Sequence, residues 1–142
     1  MTEKYFVDTN VLIYCRDLTA GKKQNQALEW MKSLWENRSG RLSTQVLNEY
    51  YYAVTQKLKP GISAELARKD VQDLFAWKPV PMDEAVIASS WQIQDNYSIS
   101  FWDSLIVAAA QIADCKFLLS EDFSERQEYS GLTVINPFHQ TP

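Results

Sequence analysis

Two aspartates, Asp8 and Asp122, follow short apolar runs that are typical of β-strands. Tyr5-Phe6-Val7 directly precedes Asp8, and Phe117-Leu118-Leu119 ends shortly before Asp122. In open α/β sheets the ligand crevice lies beyond the carboxyl ends of the strands, so we expect both carboxylates at that edge. Each residue also has an ordinary explanation, because Asp8 could only cap the next helix and Asp122 could lie in a solvated turn. On spacing alone, Glu121 is an alternative to Asp122.

Asp103 lies in the first turn of a predicted helix. The segment Ser100-Phe-Trp-Asp103 has the spacing of a capping box, which would explain the acid structurally. The helix behind it, residues 105–113, is apolar on almost every side and should be buried. An acid at that position gains from the helix dipole, but it needs a partner, and a bound cation would be one.

Three further polar residues are weaker candidates. Thr9 and Asn10 follow Asp8 in the same turn, where their side chains would suit either a cap or a site. Glu49 points nearly opposite to the apolar stripe of its helix, so a solvated glutamate is the default interpretation. Spacing alone does not place Glu49 in a site.

Apolar runs that alternate with helical patterns position these residues. Strands are predicted over residues 5–7, 40–43, 116–119 and 132–135, and an extended piece over 78–82. Helices are predicted over residues 11–17, 22–37, 44–58, 63–77, from 83 through 91, and 101–114. This alternation indicates an α/β fold with a mostly parallel sheet and helices on both faces. Pro137 is expected to close the ordered part.

Composition restricts the chemistry. A chain of 142 residues, 46% of them hydrophobic, fits a single domain over residues 1–142. His139 is the only histidine, which disfavours zinc sites and Ser-His or Cys-His catalysis. Cys15 and Cys115 are interpreted as small buried hydrophobes in a reducing compartment. No targeting segment or membrane span is visible, so a cytoplasmic location is expected.

The net charge bears on nucleic-acid binding. Lys and Arg number 14 against 18 Asp and Glu, which gives −4, whereas proteins that bind nucleic acid non-specifically are usually basic. Any nucleic-acid role must therefore depend on a local site, or on charge supplied by a metal or a partner.

Five segments together resemble the motifs of the PIN-domain ribonucleases, in particular the VapC-type toxins of bacterial toxin–antitoxin pairs. They are Val7–Ile13, Ser43–Glu49, Ile99–Ala110, Leu118–Phe123 and Val134–Phe138. Any one motif is weak, but the five occur in order at ordinary separations over nearly the whole chain.

The resemblance implies a doubly wound, PIN-like α/β fold and an RNA substrate, single-stranded or structured. It implies a cognate antitoxin protein as partner. A homodimer is also expected, because VapC-like proteins are expected to pair and the consecutive aromatics of Tyr50–Tyr52 cannot all face one core. The resemblance favours Asp122 over Glu121 and implies an acidic site of Asp8, Glu49, Asp103 and Asp122, supported by Thr9.

Four clustered carboxylates would destabilise the folded protein by mutual repulsion unless a bound cation neutralised their charge. Two unit charges about 4 Å apart repel by roughly 4 kcal/mol at an effective dielectric near 20. Oxygen ligands without His or Cys select Mg²⁺ or Mn²⁺, which can activate a bound water and shield a phosphate. We expect Asp8 and Asp103 to bind the metal first. Glu49 and Asp122 would complete the shell through water or orient the attacking water.

Two other functions remain open on sequence grounds. The fold could serve as a nucleic-acid or protein-binding module with weak or no catalysis, although all four acids are present. A metal-dependent phosphatase could use Asp8 as its nucleophile. Phosphatases of that type typically carry a second acid two residues after the nucleophile. This chain has Asn10 at that position.

Overall fold

The computed structural model describes residues 3–142. One five-stranded sheet has the order β2-β1-β3-β5-β4, and its neighbouring pairs are parallel except β4 with β5. The predicted α/β class with a mostly parallel sheet is therefore confirmed. The strands are β1 (Tyr5–Val7), β2 (Gly40–Arg41), β3 (Phe117–Leu119), β4 (Glu128–Tyr129) and β5 (Leu132–Ile135).

The helices form two groups around this sheet. Helix α1 packs against α2 and α3, whereas α5 and α6 pack against each other. The connection from β1 to β2 and that from β2 back to β3 run in opposite directions, so right-handed crossovers place α2 and α6 on opposite faces of the sheet, while α3 packs with α1. The helices are α1 (Thr9–Arg16), α2 (Lys22–Asn37), α3 (Thr44–Tyr52), α4 (Ala64–Leu74), α5 (Glu84–Tyr97) and α6 (Phe101–Ile112).

Polar side chains begin most of these helices. Each capping oxygen accepts a hydrogen bond from a backbone N–H of the first turn, which would otherwise lack a partner. Two predicted helices end differently from expectation: α3 continues as a π-helical turn (Ala53–Lys57), and α4 continues as a 3₁₀ turn (Phe75–Trp77). The caps are Asp8, Ser43, Ser63, Asp83 and Ser100.

The sheet contains one strand that the sequence pattern did not predict. Strand β4 has only two residues and pairs antiparallel with β5. The turn between them is Ser130-Gly131, and both residues have positive φ (50° and 94°), as tight hairpin turns require. This Ser-Gly pair was the available signal. In the segment predicted as strand 40–43, only Gly40 and Arg41 pair, while Ser43 makes a single bridge to Val80.

The expectation that Pro137 closes the ordered part is wrong. The indole Nε1 of Trp30 donates to the carbonyls of Pro137 (3.0 Å) and Gln140 (2.9 Å). The ring of Phe138 contacts Tyr14 edge-on, with centroids 5.0 Å apart. A buried tryptophan needs a partner for its N–H, and the C-terminal carbonyls supply it.

A charged network joins three of the helices. Arg16 donates twice to Asp70, at 2.9 and 2.7 Å, and the hydroxyl of Tyr50 donates to the same carboxylate. This bidentate contact connects α1 to α4, while Tyr50 adds α3. The network fixes the helices around α1, whose N-terminus carries the candidate site.

Other features of the core agree with the composition. Cys115 is buried and Cys15 is partly buried, and both are free thiols whose pKa burial raises to about 12. Gly40 packs against Trp77 so closely that an added Cβ would lie 2.4 Å from the indole.

Within residues 3–142, no helix is long and apolar enough to cross a membrane.

Candidate functional site

One open cleft at the carboxyl end of the sheet gathers the four predicted acids. It has a volume of about 380 Å³. Asp8 follows β1, Asp122 follows β3, Glu49 lies on α3 and Asp103 lies in the first turn of α6. Thr9 and Asn10 also line the cleft. The structure thus brings together every residue of the predicted set, from four different segments.

Asp8 is the most buried of the four acids, with 7% of its surface exposed. It caps α1 by accepting from the N–H of Thr9 (2.8 Å), and its second oxygen accepts from the hydroxyl of Ser120 (2.7 Å). Burial is the largest cause that raises its pKa to about 6; the charges of Asp122 and Glu49 act in the same direction, and these two hydrogen bonds oppose the rise. Ionising Asp8 in the metal-free protein is therefore less favourable than ionising an ordinary aspartate.

Asn10 and Ser120 connect Asp8 to Asp122. The amide of Asn10 donates to Asp122 at 3.0 Å and to Asp8 at 3.3 Å. The Ser120 hydroxyl donates to Asp8 and accepts from the N–H of Asp122 at 3.1 Å. Ser120 is fully buried, and sequence reasoning missed it. The pairing register of the two strands would have predicted it: Val7 pairs with Leu119, so the next residues, Asp8 and Ser120, are neighbours at the edge of the sheet.

Glu121 is engaged away from the cleft. Its carboxylate accepts from the hydroxyl of Tyr14 (2.6 Å) and pairs with Lys23. Burial opposes ionisation of Glu121, but the hydrogen bonds from Lys23 and Tyr14 lower its pKa below the usual value. Asp122 lines the cleft and Glu121 does not. Of these two neighbours, Asp122 is thus the one whose side chain lies in the cleft.

Glu49 is exposed, as its default interpretation required, yet its carboxylate faces the cleft. The hydroxyl of Thr9 donates to Oε1 of Glu49 at 2.8 Å. Thr9 is itself buried, so its hydroxyl is a fixed donor that orients the exposed Glu49 side chain. Periodicity along α3 could not predict this contact, because the donor belongs to α1.

Asp103 lies in the capped first turn of α6 and lines the cleft. Ser100 accepts from the N–H of Asp103 at 3.1 Å, which caps α6, and the helix behind is buried from Ser104 to Ala110. Burial is the largest cause that raises the pKa of Asp103, and the charges of Asp122 and Glu49 add to it. The negative charges of the other acids in the cleft therefore make ionisation of the Asp103 carboxyl less favourable.

The donor set fits a hard divalent cation. Four carboxylates line one cleft, and two of them have a pKa raised partly by their neighbours' charge. Among residues 3–142, no three Asp, Glu, His or Cys side chains stand close enough to hold one ion directly. Mg²⁺ normally keeps several waters, so a hydrated ion suits such spacing. The lining also includes Gln45, whose buried amide oxygen has no hydrogen-bond partner within the described residues.

Comparison with known proteins gives one family and several similar folds. Residues 5–126 match the PIN domain family. Comparison with curated proteins gives no match.

Three solved structures illustrate the fold similarity. FitAcB from Neisseria gonorrhoeae is 21% identical with a TM-score of 0.67, and the alignment covers 96% of this chain and 99% of that one. A toxin–antitoxin complex from Klebsiella pneumoniae is 19% identical with a TM-score of 0.60, covering 94% and 98%. The sarcin-ricin-loop-cleaving toxin VapC20 from Mycobacterium tuberculosis is 14% identical with a TM-score of 0.59, covering 84% and 90%. At these identities the likeness shows the fold.

Proposed function

Because the chain belongs to the PIN domain family, we propose that it is a divalent-metal-dependent endoribonuclease and the toxin of a toxin–antitoxin pair. The family match and the toxin–antitoxin structures of similar fold support the coarser statement, a nuclease of such a system. One observation carries the finer one: Asp8, Glu49, Asp103 and Asp122 line a single cleft.

Asp8 and Asp103 would hold the Mg²⁺ or Mn²⁺ ion, with Glu49 and Asp122 completing the site. When bound, the ion would lower the pKa of the water molecule that it coordinates, and it would neutralise negative charge on the phosphate. It would also relieve the repulsion that raises the pKa of Asp8 and Asp103.

The remaining steps belong to the chain's own side chains. Ser120 and the N–H of Thr9 hold Asp8 in one orientation, and Asn10 holds Asp122 beside it. Glu49, oriented by Thr9, is the exposed acid that can accept a proton from the attacking water. Thr9 and Asn10 thus act as positioning residues.

Cleavage assays test this proposal. We expect the wild type to cut RNA with Mg²⁺ or Mn²⁺, to stop in EDTA, and to leave p-nitrophenyl phosphate intact. Asp103→Asn keeps the shape but removes a charge, so we expect a loss of at least about a hundredfold. Asp114→Asn is the matched control, since Asp114 is exposed and lies two residues after the C-terminal end of the same helix. Wild-type activity in Asp103→Asn, or phosphatase activity alone, would refute the proposal.

The acidic cleft also suggests how an antitoxin partner could bind. A side chain of Arg or Lys could occupy the place of the cation, and arginine's planar fork can meet two carboxylates at once. We expect partner affinity to fall with rising Mg²⁺ and to fall in Asp103→Asn. Affinity that is indifferent to both would place the inhibitory contact elsewhere.

A cytoplasmic homodimer completes the proposal. Of the three consecutive tyrosines, Tyr50 is buried and Tyr52 is 56% exposed, so the three rings do not face one core. Light scattering at micromolar concentration should give twice the mass of the 142-residue chain. A monomer mass would exclude the dimer.

A further inference from the structure

Two exposed aromatic rings flank the four carboxylates. Tyr52 is 56% exposed and Trp102 is 65% exposed, and both line the cleft. Exposing rings of this size forgoes the free energy that their burial would contribute to folding. Their position beside the acids therefore calls for a role in binding rather than in the core.

Each ring belongs to a residue that is close in sequence to one of the acids of the cleft. Tyr52 lies three residues after Glu49 on α3, hence on the same side of that helix, and Trp102 directly precedes Asp103 on α6. Phe101 supports the indole edge-on, with ring centroids 5.2 Å apart at 67°. A ligand that reaches the carboxylates therefore also meets the rings.

The charge of the cleft decides what kind of contact can hold a nucleic acid there. Lys57 is the one cation among the described residues that line it, and its Nζ lies 5.4 Å from the centre of the Tyr52 ring. Four acids outnumber this cation, and the whole chain carries −4. Because phosphates are repelled unless a metal is bound, attraction between this single cation and the RNA backbone supplies only a small part of the affinity. Stacking on bases is independent of charge, and every base has a π-face.

We propose that Tyr52 and Trp102 stack on unpaired bases next to the scissile phosphate, with Lys57 contacting the adjoining backbone. This inference rests on the proposed ribonuclease function and assigns the two rings as the groups that recognise unpaired bases. In a duplex the bases are stacked on one another, so their faces are not available to the protein. The rings therefore select unpaired segments, and the carboxylates cut them.

The kinetic test compares Trp102→Leu with Trp91→Leu. Trp91 is a matched control because it is 58% exposed on α5 and does not line the cleft. Base stacking on an aromatic side chain contributes enough for roughly a tenfold rise in KM when it is lost. We expect that rise for a short single-stranded RNA in Trp102→Leu, with kcat within about twofold, and partial recovery in Trp102→Phe. An abasic nucleotide beside the cleaved bond should raise the wild-type KM similarly.

A binding measurement separates failure of this inference from failure of the proposed function. Tryptophan fluorescence of Glu49→Gln, which keeps Asp8 and Asp103 for the metal, is titrated with the same RNA in Mg²⁺, with and without Trp102→Leu. Quenching that disappears with Trp102 supports stacking even if the wild type cuts no RNA, which would refute only the nuclease.

Three results would overturn the inference. They are an unchanged KM in Trp102→Leu, equally efficient cleavage of duplex and single-stranded RNA, and a lower oligomeric mass in Trp102→Leu without a change in KM per subunit. The last would make the ring a contact between copies of the chain.

Discussion

Replacing Asp8 by asparagine removes a carboxylate that is buried and surrounded by like charge. The pKa of Asp8 is about 6 in the folded metal-free protein, compared with 3.8 for an ordinary aspartate. The folded state therefore binds this proton more tightly than the unfolded state does. In consequence the free energy of unfolding falls as pH rises from about 4 to 6, and it stays low above that range.

The size of the effect follows from the shift. Each pKa unit corresponds to about 1.4 kcal/mol, so the shift of about two units destabilises the wild type by about 3 kcal/mol at pH 8. Asparagine can still accept through Oδ1 from the N–H of Thr9, but its Nδ2 can only donate: the Ser120 hydroxyl can turn to accept from it, whereas the hydrogen bond from Asn10 is lost. Losing one such hydrogen bond costs about 1 kcal/mol. We therefore expect Asp8→Asn to raise the free energy of unfolding at pH 8 by about 2 kcal/mol.

Urea denaturation in EDTA at several pH values between 4 and 8 measures this difference. The gain in Asp8→Asn should be large at pH 8 and should vanish or reverse near pH 4. Mg²⁺ should then stabilise the wild type, by about 2.7 kcal/mol at a hundred times its Kd, and leave the variant unchanged. Asp83→Asn is the control, because Asp83 also caps a helix but is exposed.

Two outcomes would contradict this reasoning. One is an Asp8→Asn variant that is less stable than the wild type at pH 8. The other is a difference in unfolding free energy between them that does not change with pH. Either would mean that the hydrogen bonds to Asp8 outweigh its burial.

Three further predictions concern neighbouring features. Asp122→Asn should lower RNA cleavage at least about tenfold, while Glu121→Gln should leave it within about twofold, since only Asp122 lines the cleft. Asp70→Asn should lower the free energy of unfolding by about 2 kcal/mol because it leaves a partly buried guanidinium unpaired, whereas Asp73→Asn, in an exposed pair, should cost less than about 0.5 kcal/mol by urea denaturation. Gly40→Ala should cost about 1–3 kcal/mol, because its Cβ would overlap the indole beneath it, and a melting temperature that does not fall would contradict that contact.

Much of the fold followed from local sequence pattern. Strands β1, β3 and β5 and helix α2 lie where apolar periodicity placed them, because burial of one face imposes that periodicity on the sequence. Asp8 and Asp122 could be located near strand ends for the same reason, although only the family resemblance favoured Asp122 over Glu121. Glu49 joined the set only through family resemblance, since it has no local pattern that separates it from a solvated acid.

Only the tertiary structure decided which partners these residues contact. Ser120 meets Asp8 because β1 and β3 are adjacent in register, and Thr9 meets Glu49 because α1 packs against α3. Glu121 and Asp122 are adjacent in sequence, yet their carboxylates have different partners. Local sequence fixes which residues start helices and end strands, because capping and burial are local. Hydrogen bonds and pKa shifts between segments about 40 to 110 residues apart depend on packing, because electrostatic and hydrogen-bond energies follow distances in space.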